Sequence, residues 1–204
     1  GPCGPCSEIH YYVGDNISEQ NASGVNSSDL YRELWNLVFI QYNRKSDGEL
    51  EDLPVKHVDT GMGLERILST INGIPDHYQT DLFKPIIEKI EEMSSIKLSD
   101  GSGTPHRVIS DHLRMLSFSI ADGAMPSNEG RGYVLRRVLR RASRFGKALN
   151  FKEPFLYKLV DTLCKIMGEA FPELIEKKHH IQNVIKAEEA SFLKTLDKGI
   201  SIFD

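Results

Sequence analysis

Asp59, Gly61, Gly63 and Arg66 stand close together in Val58-Asp59-Thr60-Gly61-Met62-Gly63-Leu64-Glu65-Arg66-Ile67. The stretch reads as the end of a strand, a glycine turn and the start of a helix. In the strand, alternation puts His57, Asp59 and Gly61 on one face and Lys56, Val58 and Thr60 on the other. Gly61 and Gly63 let the backbone turn with positive φ, or lie flat against a ligand where a Cβ would clash. Leu64 and Ile67 begin an apolar helical stripe and leave Arg66 in the first turn. A guanidinium there can stack on a purine and fork onto a phosphate. The competing reading is an ordinary β-turn-α corner with a surface arginine.

The partners of Asp59 lie upstream. In YRELWNLVFIQYN (31–43) a period of two separates Leu34, Asn36, Val38 and Ile40 from Trp35, Leu37, Phe39 and Gln41. Both sets are largely apolar, which predicts a central strand buried on both sides. Asn36 is then either a core amide satisfied by the backbone or a side chain facing a small substrate. Lys45-Ser46-Asp47-Gly48 predicts a hairpin turn. The returning segment 49–60 brings Asp59 and Gly61 alongside, so Asn36, Val38, Asp59 and Gly61 can share one face. That face fits a small zwitterion. Asp59 pairs with an ammonium, Asn36 bonds the carboxylate or amine, and Val38 limits the remaining volume.

A second chemistry lies further on. The net charge is −4, yet residues 104–150 alone carry +6, which leaves −10 for the rest. A basic segment in an acidic chain points to a local polyanion contact. Within 131–147, Leu135, Val138, Leu139, Ala142 and Phe145 form an apolar helical stripe, and Arg136, Arg137, Arg140, Arg141 and Arg144 take the rest of the surface. A solvated face normally interleaves acids at i,i+4 spacing; none occurs here, and phosphate contact is the favoured reading. Just before lies Pro126-Ser127-Asn128-Glu129-Gly130-Arg131-Gly132. An asparagine in such a turn offers a donor and an acceptor to the shallow minor groove of duplex RNA. The alternative is a left-handed or capping role for Asn128.

Four stretches occur in order: GPCGPCSEI at 1–9, ELWNLVFIQYNR at 33–44, DTGMGLERI at 59–67 and MPSNEGRGYVLRRVLRR at 125–141. Together they resemble the alanyl-tRNA synthetases of class II, with DTGMGLERI similar to their motif 3, and the likeness runs over essentially the whole chain. It implies an α+β fold: an antiparallel sheet forming the C-terminal half of a catalytic domain (1–97), then an incomplete, all-helical tRNA-recognition domain (98–204). It implies that Asn36, Val38, Asp59 and Gly61 line an alanine pocket and that Arg66 holds ATP, with Mg²⁺ on its phosphates. The implied reaction is in-line attack of the alanine carboxylate on the α-phosphate of ATP, followed by transfer to tRNA. No residue here need act as nucleophile or general base. It further implies that Asn128 helps read a G·U pair in the acceptor stem of the alanine tRNA, beside phosphate contacts by Arg131 and the helix arginines. Motifs 1 and 2 are expected upstream of Gly1, and a second base-reading aspartate beyond Asp204. The chain alone is therefore expected to be inactive. A non-catalytic RNA-binding module derived from a synthetase is the other reading, and a nucleotide-binding regulatory protein a third.

The elements that must position these residues are a strand at 7–13, a polar loop at 14–29, the two long strands, and helices at 62–71 and 81–93. Helices at 107–123, 131–147, 152–168 and 178–203 follow, with the domain boundary placed in the loop 97–105. The Asn-x-Ser triplets at 16 and 21 are nominal glycosylation sites without weight in a non-secreted protein. Cys3 and Cys6 have CxxC spacing, but no second ligand pair follows, so two buried thiols in a turn are favoured over zinc. Three cysteines without framework spacing suggest a reducing, cytoplasmic or mitochondrial compartment. No membrane-spanning run is present. Asp111 and His112 read as structural, and Lys186, Glu188 and Glu189 as ordinary surface.

Overall fold

The computed structural model describes residues 1–99 and 101–203, with side chains through Leu196 and that of Lys198. Asp100, inside the loop expected at 97–105, lies outside the described residues. The chain is α+β and divides into two compact units, 1–80 and 81–204.

The first unit is an antiparallel sheet built around one long strand. Its strands are β1 (Pro2–Cys3), β2 (Cys6–Tyr12), β3 (Tyr31–Arg44) and β4 (Leu50–Met62). β3 pairs with β4 along one edge and with β2 and β1 along the other. A tight turn joins β3 to β4. Gly48, at φ 92°, gives its N–H to the Lys45 carbonyl, and Asp47 Oδ1 accepts the Glu49 N–H at 3.0 Å. The positive φ explains the glycine. Helix α1 (Leu64–Ile71) follows β4 directly and stops at Gly73, also left-handed at φ 62°. Between β2 and β3 the polar loop folds into two 3₁₀ turns. Asn16 and Asn21 cap them, their side chains accepting the N–H groups of Ser18 and Ser23. The Asn-x-Ser triplets are thus turn caps, as expected of asparagine.

Burial in this sheet departs from the sequence expectation. β3 is central but not covered on both sides: Leu34 is its one buried residue, and most others are half-buried. Val58 is 61% exposed. Pairing satisfies both edges of β3, and α1 packs against one end of it, where Arg32 Nη1 donates to Ser69 Oγ at 3.0 Å, but most of the strand stays half-buried. Cys3 is half-buried and Cys6 exposed, so the expectation of two buried thiols is corrected as well.

The second unit holds the hydrophobic core. It comprises α2 (Lys84–Ser94), α3 (Thr104–Ala121), α4 (Gly130–Ala148), α5 (Leu156–Met167), the single turn α6 (Pro172–Glu176) and α7 (Lys178–Phe203). On α3, Ile109, Leu113, Leu116 and Ile120 recur at helical spacing and are fully buried. They meet Leu135 and Leu139 of α4, Leu159 and Leu163 of α5, and Ile181 and Ile185 of α7 in one cluster. Ile86 and Ile90 of α2 belong to the same cluster. Packing therefore divides the chain at 80/81, ahead of the loop at 97–105, because α2 buries its apolar stripe among the later helices.

Candidate functional site

The pairing register brings four of the sequence-derived residues onto one face of the first unit. Asn36 lies opposite Gly61, and Val38 opposite Asp59. Directly paired residues project to the same side of a sheet. Across the other edge of β3, Glu8 stands opposite Asn36 and Cys6 opposite Val38. The face thus carries two rows, Glu8-Asn36-Gly61 and Cys6-Val38-Asp59.

Asn36 is held from one side by both partners that the sequence reading overlooked. Its Nδ2 donates to Glu8 Oε1 at 3.2 Å, and its Oδ1 accepts from Cys6 Sγ at 3.2 Å. These side-chain bonds replace the backbone partners considered for a core asparagine. Glu8 is itself fixed, since His10 Nε2 lies 2.9 Å from its Oε2 and Asn26 Nδ2 donates to the same atom at 3.4 Å. The His10 hydrogen bond, then that of Asn26, holds the Glu8 carboxyl below its ordinary value. Asp59 is exposed, and its carboxylate has no partner among the described residues. The arrangement offers a fixed amide, a free carboxylate and a valine on an open surface. Where a Cβ would stand on Gly61 there is open space to 4 Å. An α-amino acid can lie across such a surface with its ammonium on Asp59.

The glycines do not work through positive φ. Gly61 continues β4, and Gly63 sits at φ −73° as the residue preceding α1. A Cβ on Gly63 would stand 3.2 Å from Arg66 Cδ, a tight contact that the flexible arginine side chain relieves by a small shift. The Arg66 side chain folds back toward β3. There Nη1 donates to the Glu33 carbonyl at 2.8 Å and lies 3.8 Å from Glu33 Oε2. Arg66 remains exposed, a guanidinium with donors left for an anion.

In the second unit the turn before α4 is built by Ser127, whose Oγ accepts the Glu129 N–H and whose own N–H donates to the Gly132 carbonyl at 3.0 Å. Glu129, not Asn128, precedes the helix, and Asn128 has no positive φ. Neither conformational alternative for Asn128 therefore applies. Its Oδ1 accepts from Arg136 Nη1, which leaves the exposed amide NH₂ as the outward-facing group.

The arginines of α4 divide into two sets. Glu188 of α7 takes Arg136 at 3.0 Å and Arg140 at 3.2 Å, and its own side chain is only 12% exposed. Arg137, Arg141 and Arg144, by contrast, have no carboxylate partner among the described residues, and Arg131 is exposed. Glu188 and Glu189 are thus not ordinary surface. Glu189 is fully buried and accepts the Phe155 and Leu156 N–H groups at 3.0 and 3.1 Å, satisfying donors at the start of α5. A repeat in the sequence, Ile181, Ile185, Glu189 and Leu193, places it in the apolar stripe of α7 and was the available signal. Asp111 and His112 do pair, Nδ1 to Oδ2, at 3.2 Å.

An antiparallel sheet that leads through a glycine corner into an arginine-bearing helix is the motif 3 arrangement expected of a class II synthetase. Residues 1–204 match the family described as tRNA synthetases class II (A), and the chain belongs to that family. Among curated relatives, the alanine–tRNA ligase of Chlorobium phaeobacteroides is 54% identical over 210 residues, covering all of this chain. That of Chlorobium chlorochromatii is 53% identical over 209 residues, and that of Akkermansia muciniphila 48% over 233, each again covering all of it. The chain spans about a quarter of the length of these relatives: 23% of the two Chlorobium proteins and 24% of the third.

Proposed function

We propose that this chain is part of an alanine–tRNA ligase, and that its two units divide the work. The first unit contributes one wall of the site for alanine and ATP, and the second contacts the acceptor stem of the alanine tRNA. The observation that carries the reading is the register pairing Asn36 with Gly61 and Val38 with Asp59. It supports an alanine pocket in which Asp59 takes the α-ammonium, Asn36 the carboxylate or amine, and Val38 excludes larger side chains.

Arg66 fits a triphosphate: it is exposed, anchored by one nitrogen and free to donate with the others. Mg²⁺ would arrive on the ATP phosphates and supply charge neutralisation there. The residues of this chain bind and orient, since adenylate formation depends mainly on positioning and charge stabilisation. A pocket of this kind separates alanine from glycine or serine poorly, because one methylene is worth only ~1–3 kcal/mol. The half-buried apolar faces of the first unit also suit a piece of a larger enzyme whose other segments complete the site.

The test is alanine-dependent ATP–pyrophosphate exchange by the full-length ligase. Asp59→Asn keeps shape and removes the charge, so alanine KM rises sharply while ATP KM moves little. Arg66→Ala weakens ATP use most. Equal effects of both substitutions on both substrates would refute this division of labour.

A further inference from the structure

One cavity of the second unit collects basic groups to a degree that a helix surface alone does not explain. It measures about 520 Å³ and lies between α3, α4 and α7, lined by His112, Val134, Arg137, Val138, Arg140, Arg141, Arg144 and Phe192. Four guanidiniums and an imidazole face it, and no carboxylate lines it among the described residues. Arg140 is already committed, ion-paired to Glu188 and lying 5.4 Å over the Phe192 ring. Among the described residues Arg137, Arg141 and Arg144 meet aromatic rings and no carboxylate, Tyr133 for the first and Phe145 for the other two, at 5.7–6.0 Å. Like charges gathered without a counter-charge repel one another, and an anion among them relieves that cost.

His112 supplies an independent observation. Its Nδ1 is engaged by Asp111 Oδ2, while its Nε2 is buried and has no hydrogen-bond partner among the described residues. A buried polar atom without a partner is costly and calls for an explanation. Asp111 fixes the ring through Nδ1 and leaves Nε2 for a ligand, as a donor to a phosphate oxygen in the imidazolium or as an acceptor from a phosphate or ribose hydroxyl in the neutral ring. Val134, Val138 and Phe192 make the remaining surface apolar, which suits the sugar or base attached to a phosphate.

We propose that this cavity is a phosphate site, in which Arg137, Arg141, Arg144 and His112 Nε2 take one phosphate group of a nucleotide unit. RNA backbone and free phosphate compounds share that chemistry. The site rests on the acceptor-stem reading only in naming RNA as the source.

The experiment measures two ligands on the chain carrying Arg66→Ala, which removes the phosphate grip of the first unit. A fluorescent acceptor-stem hairpin is followed by anisotropy and inorganic pyrophosphate by calorimetry, at constant ionic strength. Pyrophosphate is expected to displace the hairpin where an equal ionic strength of chloride does not. Arg144→Ala and His112→Phe are each expected to weaken both ligands by roughly tenfold to a hundredfold, the scale of a charge-assisted hydrogen bond. Lys165→Ala on α5 leaves both unchanged. Binding indifferent to Arg144→Ala and His112→Phe overturns the site; if the hairpin still binds, the acceptor-stem reading stands without it. Pyrophosphate binding lost in both variants, with no hairpin binding at all, upholds the site and overturns RNA as its source.

Discussion

Replacing Glu189 by glutamine tests the packing of the helical unit most sharply. Oε2 of Glu189 accepts the Phe155 and Leu156 N–H groups, and Oε1 accepts from Ser143 Oγ at 3.3 Å. Burial nonetheless pushes its carboxyl up to about 7 from 4.5, outweighing these hydrogen bonds and the nearby Lys158 ammonium, all of which favour the charged form. The sign follows from linkage. The folded value is raised, so between pH 4.5 and 7 the unfolded chain has lost the proton that the folded chain keeps. Stability from this group is complete below pH 4.5, falls as pH rises to about 7, and is level above. The shift corresponds to ~3 kcal/mol. Glutamine is neutral throughout and retains one oxygen for the two N–H groups. The stability of the parent chain relative to Glu189→Gln should therefore fall by ~3 kcal/mol between pH 4.5 and pH 8, measured by urea unfolding with far-UV circular dichroism. Taking the difference cancels Glu8 and Glu91, whose lowered values act in the opposite direction. Glu189→Ala strands the Phe155 and Leu156 donors and should cost ~2–4 kcal/mol. A gap between parent and glutamine variant that stays constant with pH, or turns in favour of glutamate as pH rises, would refute the reasoning.

The remaining expectations concern α4 and the turn before it. Glu188→Gln removes the charge that holds Arg136 and Arg140, so it should tighten binding of all RNA hairpins alike and steepen the salt dependence of binding; an unchanged salt slope counts against the pairing. In the full-length ligase, Asn128→Ala should lower aminoacylation of the G·U-bearing tRNA by ~1–3 kcal/mol and leave pyrophosphate exchange intact. A lower melting temperature with unchanged G·U preference would instead make Asn128 structural. Gly132→Ala drives a Cβ into the Met125 carbonyl and Ser127 Oγ, so thermal melting should show a loss of ~1–3 kcal/mol, and an unchanged melt would mean that the turn yields freely.

That Asn36 shares a face with Val38, and Asp59 with Gly61, was legible in the sequence because alternation within a strand is local. The register that sets Asn36 against Gly61 and Val38 against Asp59 was not: the pairing next to the Lys45–Gly48 turn shifts at an irregularity between Ile40 and Tyr42, and without that shift Asp59 and Gly61 would face the other side of the sheet. The helices of the second unit, like the alternation, were legible locally, as their apolar residues recur at helical spacing. Other features depended on what lies across from a residue, which no periodicity records. β3 is apolar on both faces, yet its burial depends on layers that pairing alone does not supply. The positive φ available to Gly61 and Gly63 is unused, because the strand runs straight on through Gly61 and Gly63 enters α1 from an extended conformation at φ −73°. Cys6 and Glu8 reach the site only through pairing with a strand some thirty positions away. Glu188 and Glu189 are neighbours in sequence and lie near the same stripe of α7, but one meets two guanidiniums of α4 and the other the open N–H groups of α5. A carboxylate is tolerated away from water only where donors or opposite charge meet it. Those partners come from other segments of the chain, and tertiary packing alone brings them together.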